Sequence, residues 1–198
     1  RRYRQQREAA KWETLQMQDV YRRRGGEMGL GGLGQAALKQ LVSLGFDCAG
    51  RSRHPRELDG VRCWHGAEQL EAFLAHSEIL VCLLPLTDST RGMLNADLFK
   101  QLPHGAALVQ VGRGPQLNDD DLLTALSSGQ LSAAVIDVTD PEPLPSEHPF
   151  WQHPAIWLTP HIASQTQTDT AVAALLDNLR RYQRGEPMVG LIDRNRGY

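Results

Sequence analysis

Gly29-Leu-Gly-Gly-Leu-Gly34 reads G-x-G-x-x-G and opens directly into a helical pattern. The fold assignment turns on this stretch. In a phosphate cradle of this spacing Gly29 permits a tight turn, Gly31 lets the backbone approach a pyrophosphate, and Gly34 lets the following helix pack close to its strand. Gly32 and Leu33 complete the loop. The free N–H groups and positive dipole end of that helix then hold the anion. The competing reading is a glycine-rich turn between two core elements, since the spacing alone is a weak signal.

On the carboxyl side the cradle reading is supported. Leu33, Ala37, Leu38, Leu41, Val42 and Leu44 recur at helical spacing, and Gly45 is placed to end the helix. On the amino side it meets a conflict. Tyr21–Met28 should hold a buried first strand, yet Gly25, Gly26 and Glu27 stand where a central parallel strand normally carries Val, Ile or Leu. Either neighbouring strands supply the core, or the loop is not held as the pattern demands.

Phe46-Asp-Cys-Ala49 is a short candidate second strand running into Gly50-Arg-Ser-Arg53. Its tip lacks the acid that would bind the ribose hydroxyls of a dinucleotide. Arg51, Ser52 and Arg53 offer instead charge-assisted bonds to a 2′-phosphate, which predicts NADPH over NADH. The plainer alternative is two solvated arginines in a turn. Further along, Ala67–His76 is amphipathic, Ile79–Leu84 is an apolar strand stopped by Pro85, and Asn95 can cap a short helix ending near Pro103. Ala106–Val111 reads as a strand, Asn118 with three aspartates as a helix start closed by Gly129, and Ser132–Val138 and Ile156–Thr159 as strands. Ser164 is placed to cap a helix reaching Arg184. This βαβα alternation predicts an α/β fold: a Rossmann-type, doubly wound parallel sheet covered by helices, with ligands at the carboxyl ends of its strands.

Composition narrows the function classes. The chain has 198 residues, a net charge of −2 and 41% hydrophobic residues, which is ordinary globular material with no general attraction to nucleic acid. Eight Lys/Arg against three acids in residues 1–24 form a local basic patch, readable as a solvated helix face. The longest apolar run, Ile79–Leu84, is far shorter than the roughly 20 residues that span a bilayer. Cys48, Cys63 and Cys82 form no C-x-x-C, so neither a disulfide scaffold nor a metal site is expected, and a cytoplasmic location is. Residues 1–19 contain no Gly or Pro and read as a helix that needs a neighbour, without a signal or transit pattern.

Three polar residues follow three successive strand patterns: Arg113 in Val111-Gly-Arg-Gly114, Glu142 in Asp137-Val-Thr-Asp-Pro-Glu-Pro-Leu-Pro145, and His161 in Thr159-Pro-His-Ile-Ala-Ser164. Each alone has an ordinary explanation as a turn charge, a loop acid or a helix-entry residue. Together they put a guanidinium, a carboxylate and an imidazole on the predicted ligand edge of one sheet.

With GLGGLG at 29–34, LLPLTDSTRGMLN at 83–95, VGRG at 111–114, DVTDPEPLP at 137–145, FWQHP at 150–154 and TPHIAS at 159–164, the chain resembles the D-isomer-specific 2-hydroxyacid dehydrogenases. Within them it is most similar to the glyoxylate/hydroxypyruvate reductase A group. The closing stretch 193–198 shares the likeness, and the strand at 22–28 departs from it. The resemblance implies an oxidoreductase with a Rossmann-type cofactor domain and remnants of a flavodoxin-like substrate domain. In that division 1–19 is an interdomain helix, 20–165 the dinucleotide-binding domain, and 166–198 a return helix and tail. It further implies His161 as acid/base, Glu142 as its partner and Arg113 as the holder of the substrate's carboxylate or carbonyl. Asp137 would contact the nicotinamide carboxamide, while Leu84, Pro85, Thr87, Val111, Gly112 and Ala163 would line the cofactor.

The expected reaction is NADPH-dependent reduction of a small 2-keto acid, glyoxylate or hydroxypyruvate, by a homodimer. His148-Pro-Phe-Trp-Gln-His-Pro154 offers aromatic anchors for pairing, or alternatively a local cluster under its loop. The family's N-terminal substrate-lobe residues have no counterpart in these 198 residues, which suggests a truncated or partial dehydrogenase, one that binds cofactor but turns over keto acid poorly. A nucleotide-binding interaction module and an inactive remnant are the rival readings.

Overall fold

The computed structural model describes residues 2–16 and 19–192. The expected tail at 193–198 lies outside the described residues. Backbone contacts divide the chain into a unit of residues 1–160 and a second unit of residues 161–198.

The first unit is built on seven parallel strands: β1 (Arg24–Met28), β2 (Asp47–Ser52), β3 (Val61–His65), β4 (Ile79–Cys82), β5 (Ala106–Gln110), β6 (Leu131–Ile136) and β7 (Ile156–Leu158). They lie in the order β3-β2-β1-β4-β5-β6-β7. The strand order reverses between β1 and β4, the switch point at which such sheets open a crevice at their carboxyl edge. Five helices accompany the strands: α1 (Arg2–Glu8), α2 (Gly32–Ser43), α3 (Leu70–His76), α4 (Ala96–Phe99) and α5 (Asp119–Ser128). The expected doubly wound α/β sheet is the one observed.

Two apolar clusters fill the layers. The larger joins Met28, Leu80, Leu108 and Ile136 of the strands to Phe73 and Leu74 of α3, Phe99 of α4 and Leu122 of α5. Each such side chain, fully buried, contributes about 1.5–3 kcal/mol. The smaller cluster sits under α2, where Leu38 packs with Leu30 and Cys48. The helix punctuation follows the sequence. The Asn95 side chain accepts from the Asp97 and Leu98 N–H groups, Asn118 accepts from Asp121, and Gly129 closes α5 in the left-handed region at φ 81°.

The suspect first strand is real and central. Its start is pinned by Glu78, whose carboxylate accepts from the Arg24 backbone N–H at 3.1 Å and from its guanidinium at 3.2 Å. Gly26 makes room for the opposite layer, since a Cβ there would collide with Ser77, and Met28 is fully buried. Neighbours thus supply what β1 lacks. Three expectations are corrected. Among the described residues of 1–19 the expected helix is α1 alone, because Trp12 and most described side chains after it have nothing to pack on and remain exposed. The strand β3 was not anticipated; it is an edge strand of mixed burial with no clean alternation. The last helix starts later than Ser164, with Gln167 in the capping position.

That helix, α6 (Thr168–Gln183), makes up half of the described second unit. It buries none of its residues, and Val172, Leu175, Leu176, Leu179 and Tyr182 are all exposed.

Candidate active site

The glycine loop joins β1 to α2 at the switch point. Gly29 has φ 114°, which only glycine adopts without strain, and a Cβ there would stand 2.9 Å from the Leu83 carbonyl at the end of β4. Gly34 touches the loop from inside the helix: a Cβ would strike the Gly29 carbonyl and the Glu27 carboxylate. Gly31 and Gly32 behave oppositely, with nothing within 4 Å of a Cβ built on either. Gly31 caps α2 without a side chain, and the first N–H groups of a helix have no partner within it. Two closely packed glycines therefore shape a turn whose two open glycines leave space for a diphosphate at a helix N-terminus.

A second layer of order was invisible in the motif list. Gln116, fully buried, donates from its side-chain amide to the Leu84 and Pro85 carbonyls at 3.0 Å each. Its Oε1 accepts from the Arg113 backbone N–H at 2.8 Å. Gln110, also fully buried, donates to the Arg113 carbonyl at 2.9 Å. Two amides thus tie the Arg113 loop to the Leu84-Pro85 loop, leaving the guanidinium on the outside, where it donates to the Gly112 carbonyl at 2.6 Å. Gly112 and Gly114 are explained by the same packing. A Cβ on the first would strike Gln116, and one on the second the Thr139 carbonyl. A buried Gln inside the strand run Ala106–Gln110 and another two residues after a glycine were the available signals.

Asp137, at the carboxyl end of β6, is 3% exposed and accepts from the Thr159 hydroxyl at 2.6 Å. Glu142 lies on the exposed loop that follows, where its carboxylate accepts from the Thr139 N–H at 2.9 Å. Thr87 is held in a local turn with Ser89 and Thr90. The structure therefore brings the loops of Leu84, Pro85, Val111, Gly112, Arg113 and Asp137 to one edge of the first unit. His161 and Ala163 belong to the second unit, which His161 opens three residues beyond β7 with φ 54°, a left-handed conformation uncommon outside glycine.

Arg51 and Ser52 end β2, and Arg53 follows exposed. Arg51 donates to the Gly66 carbonyl at 2.7 Å, and Ser52 to the His54 carbonyl at 2.7 Å. Burial lowers the Arg51 pKa, with Glu68 acting against it. The group most displaced from its ordinary state is Glu27, 1% exposed, with neither oxygen hydrogen-bonded among the described residues. Burial pushes its pKa up to about 8. No group of three or more His, Cys, Asp or Glu suited to a metal occurs among the described residues, and none of their helices is long and apolar enough to cross a membrane.

Comparison with known proteins agrees with this architecture. Residues 1–163 match the family model described as D-isomer specific 2-hydroxyacid dehydrogenase, NAD binding domain. Glyoxylate/hydroxypyruvate reductase A of Yersinia enterocolitica is 39% identical over 196 residues, covering 99% of this chain and 63% of that protein. The reductase of the same name from Serratia proteamaculans is 43% identical over 173 residues, covering 87% and 55%. The chain thus spans less than two thirds of the length of these relatives. Among solved structures, a D-isomer specific 2-hydroxyacid dehydrogenase from Xanthobacter autotrophicus in complex with NADPH and MES superposes with a TM-score of 0.96 at 41% identity, covering 100% of this chain and 81% of that one. An NADPH-dependent glyoxylate/hydroxypyruvate reductase from Sinorhizobium meliloti in complex with NADP and sulfate gives 0.96 at 34% identity, covering 100% and 64%. The chain belongs to the D-isomer specific 2-hydroxyacid dehydrogenase family, and the part of that family it matches is the NAD binding domain.

Proposed function

We propose that this chain is the cofactor-binding part of an NADPH-dependent reductase that converts a small 2-keto acid to its 2-hydroxy acid, glyoxylate to glycolate or hydroxypyruvate to D-glycerate. The observation that carries the reading is the pair of open glycines, Gly31 and Gly32, at the head of α2, on the same sheet edge as the Arg113 loop. The N–H groups of that helix would hold the diphosphate, and Arg51, Ser52 and Arg53 would supply charge-assisted bonds to the 2′-phosphate. Asp137 would meet the carboxamide, and Leu84, Pro85, Thr87, Val111, Gly112 and Ala163 would line the cofactor.

The bound dinucleotide supplies a hydride to the carbonyl carbon. The chain's own residues do the remainder. Arg113 presents a planar guanidinium fork to the substrate's carboxylate. His161 delivers the proton to the carbonyl oxygen, with the Glu142 carboxylate as its partner. The relatives named for glyoxylate and hydroxypyruvate reduction support this substrate class. We assign the chain to a homodimer with the exposed Trp151 as anchor, while Phe150 is buried beneath its own loop; a strictly monomeric mass in sedimentation at micromolar concentration rules that assignment out.

The test is binding of NADPH and NADH, followed by NADPH oxidation with each keto acid. Consumption abolished by His161→Ala, with NADPH binding retained, supports the reading. Absence of dinucleotide binding refutes it. A second reading, a nucleotide-binding interaction module, is favoured by the exposed apolar face of α6; it is selected by tight NADPH binding without turnover of either acid even when an N-terminal substrate lobe of the family is joined to the chain.

A further inference from the structure

We propose that Glu27 is a proton-controlled part of the phosphate cradle: the loop accepts a dinucleotide's diphosphate while the Glu27 carboxyl is protonated and gives it up as that proton leaves. The proposal rests on the cofactor reading above and adds a residue to it. Glu27 is the last residue but one of β1, two residues ahead of Gly29. Its side chain lies on the α2 face of the sheet, against Gly34, where only the absence of a Cβ leaves room for the carboxylate. Both oxygens are buried without a hydrogen-bond partner among the described residues. A carboxylate in that place is an anion under a site built to hold another anion, and like charges at close range disfavour joint occupancy.

The surrounding groups leave Glu27 as the one that titrates. On β2, Gly50 stands beside it and Cys48 lies on the same face, its thiol pushed up to about 11 by burial, then by Asp47 and by Glu27. Arg51, the next cation along β2, bonds the Gly66 carbonyl, and its remaining influence is tied to Glu68. On β4, Val81 is the direct neighbour, and Cys82 is held near Gln116 with its thiol pushed up to about 11 by burial. The first turn of α2 carries no acid, its last turn no base, and Lys39 is exposed. His76 of α3 belongs to the helix packed on the opposite face, beyond Gly26, with Asp47 as its nearest acid. Burial, which holds the Glu27 proton until about pH 8, is therefore opposed by no cation. The 2′-phosphate of NADPH completes its own ionisation near pH 6, below the window concerned.

The experiment titrates the 198-residue chain with NADPH by calorimetry from about pH 6.5 to about pH 9.5, in paired buffers of different ionisation enthalpy, alongside Glu27→Gln and Glu27→Met. The chain should lose at least about tenfold in affinity across that range and take up a proton on binding near pH 8. Both variants should bind with nearly constant affinity and no uptake assigned to this site. Binding by the wild-type chain with a flat pH profile, or variants that reproduce its slope and uptake, overturns the proposal and leaves the cofactor reading standing. Failure to bind NADPH at every pH overturns the cofactor reading itself, and the proposal with it. Circular dichroism at each pH separates loss of binding from loss of fold, and the uptake near pH 8 is read where the chain is folded.

Discussion

Replacing Glu27 by leucine should make the protein more stable, and by an amount that grows with pH. The carboxyl is 1% exposed and lacks a hydrogen-bond partner among the described residues. Its pKa is about 8 in the folded chain against an ordinary value of 4.5. Between those limits the folded state keeps a proton that the unfolded chain has released, so stability falls as pH rises, by about 1.4 kcal/mol per unit. The contribution is intact below pH 4.5, declines through the interval, and is fully lost above pH 8, a total of about 5 kcal/mol. Near pH 7 the deficit is about 3 kcal/mol, which for a chain of this size is on the order of 10 °C in Tm. Urea and thermal unfolding of the wild-type chain, Glu27→Leu and the isosteric Glu27→Gln at pH 5, 7 and 9 measure it, and subtraction cancels the titrating groups that do not interact with Glu27. Variant and wild-type curves that stay parallel across pH would refute the reasoning, because the carboxyl would then titrate alike in both states.

Gln116→Ala strips partners from the Leu84 and Pro85 carbonyls and the Arg113 N–H at once; a loss of about 2–4 kcal/mol is expected in urea unfolding, together with weaker NADPH binding. Gly114→Ala forces a Cβ into the Thr139 carbonyl, which is backbone and cannot swing aside; thermal unfolding should show a loss of about 2 kcal/mol or more. Arg51→Ala combined with Arg53→Ala should reduce NADPH affinity at least about tenfold more than NADH affinity, read by fluorescence titration. Asn95→Ala removes a side chain that caps α4 at two N–H groups and donates to the Gly92 carbonyl, at a cost of about 1 kcal/mol in the same unfolding assay.

What was legible in the sequence was whatever local chemistry determines. Gly29 and Gly34 are glycines because the turn and the close packing allow nothing else, and their spacing is visible without coordinates. Asn95, Asn118 and Gly129 announce helix ends because caps are made within a few residues of chain. β3 was not legible: an edge strand paired only with β2, with five residues of mixed burial, has no strong periodicity to show. β1 reads as a poor strand because its stability comes from elsewhere, from β2 and β4 on either side and from Glu78 at its start. The bracing by Gln116 is likewise a tertiary fact, since its partners on the Leu84-Pro85 loop lie 32 and 31 residues away. In the candidate site, the types and order of Arg113, Glu142 and His161 could be read directly, whereas the scaffold that aims the Arg113 loop could not.

The position of β1 also bears on the order in which the molecule assembles. Its ladder to β4 joins residues 54 apart, as the Arg24–Glu78 contact shows, and closure of a long loop is unfavourable until many contacts form together. Gly25, Gly26 and Glu27 bring little strand propensity of their own, and Glu27 must shed its water on entry. The β1-β2-β3 group and the β4-β5-β6 group can each form on shorter segments, so the β1-β4 ladder is the seam that joins them and is expected to close last. The glycine turn exists only once that seam has closed. A dinucleotide present during refolding should therefore leave the early phases untouched and act chiefly by slowing the reopening of the finished sheet.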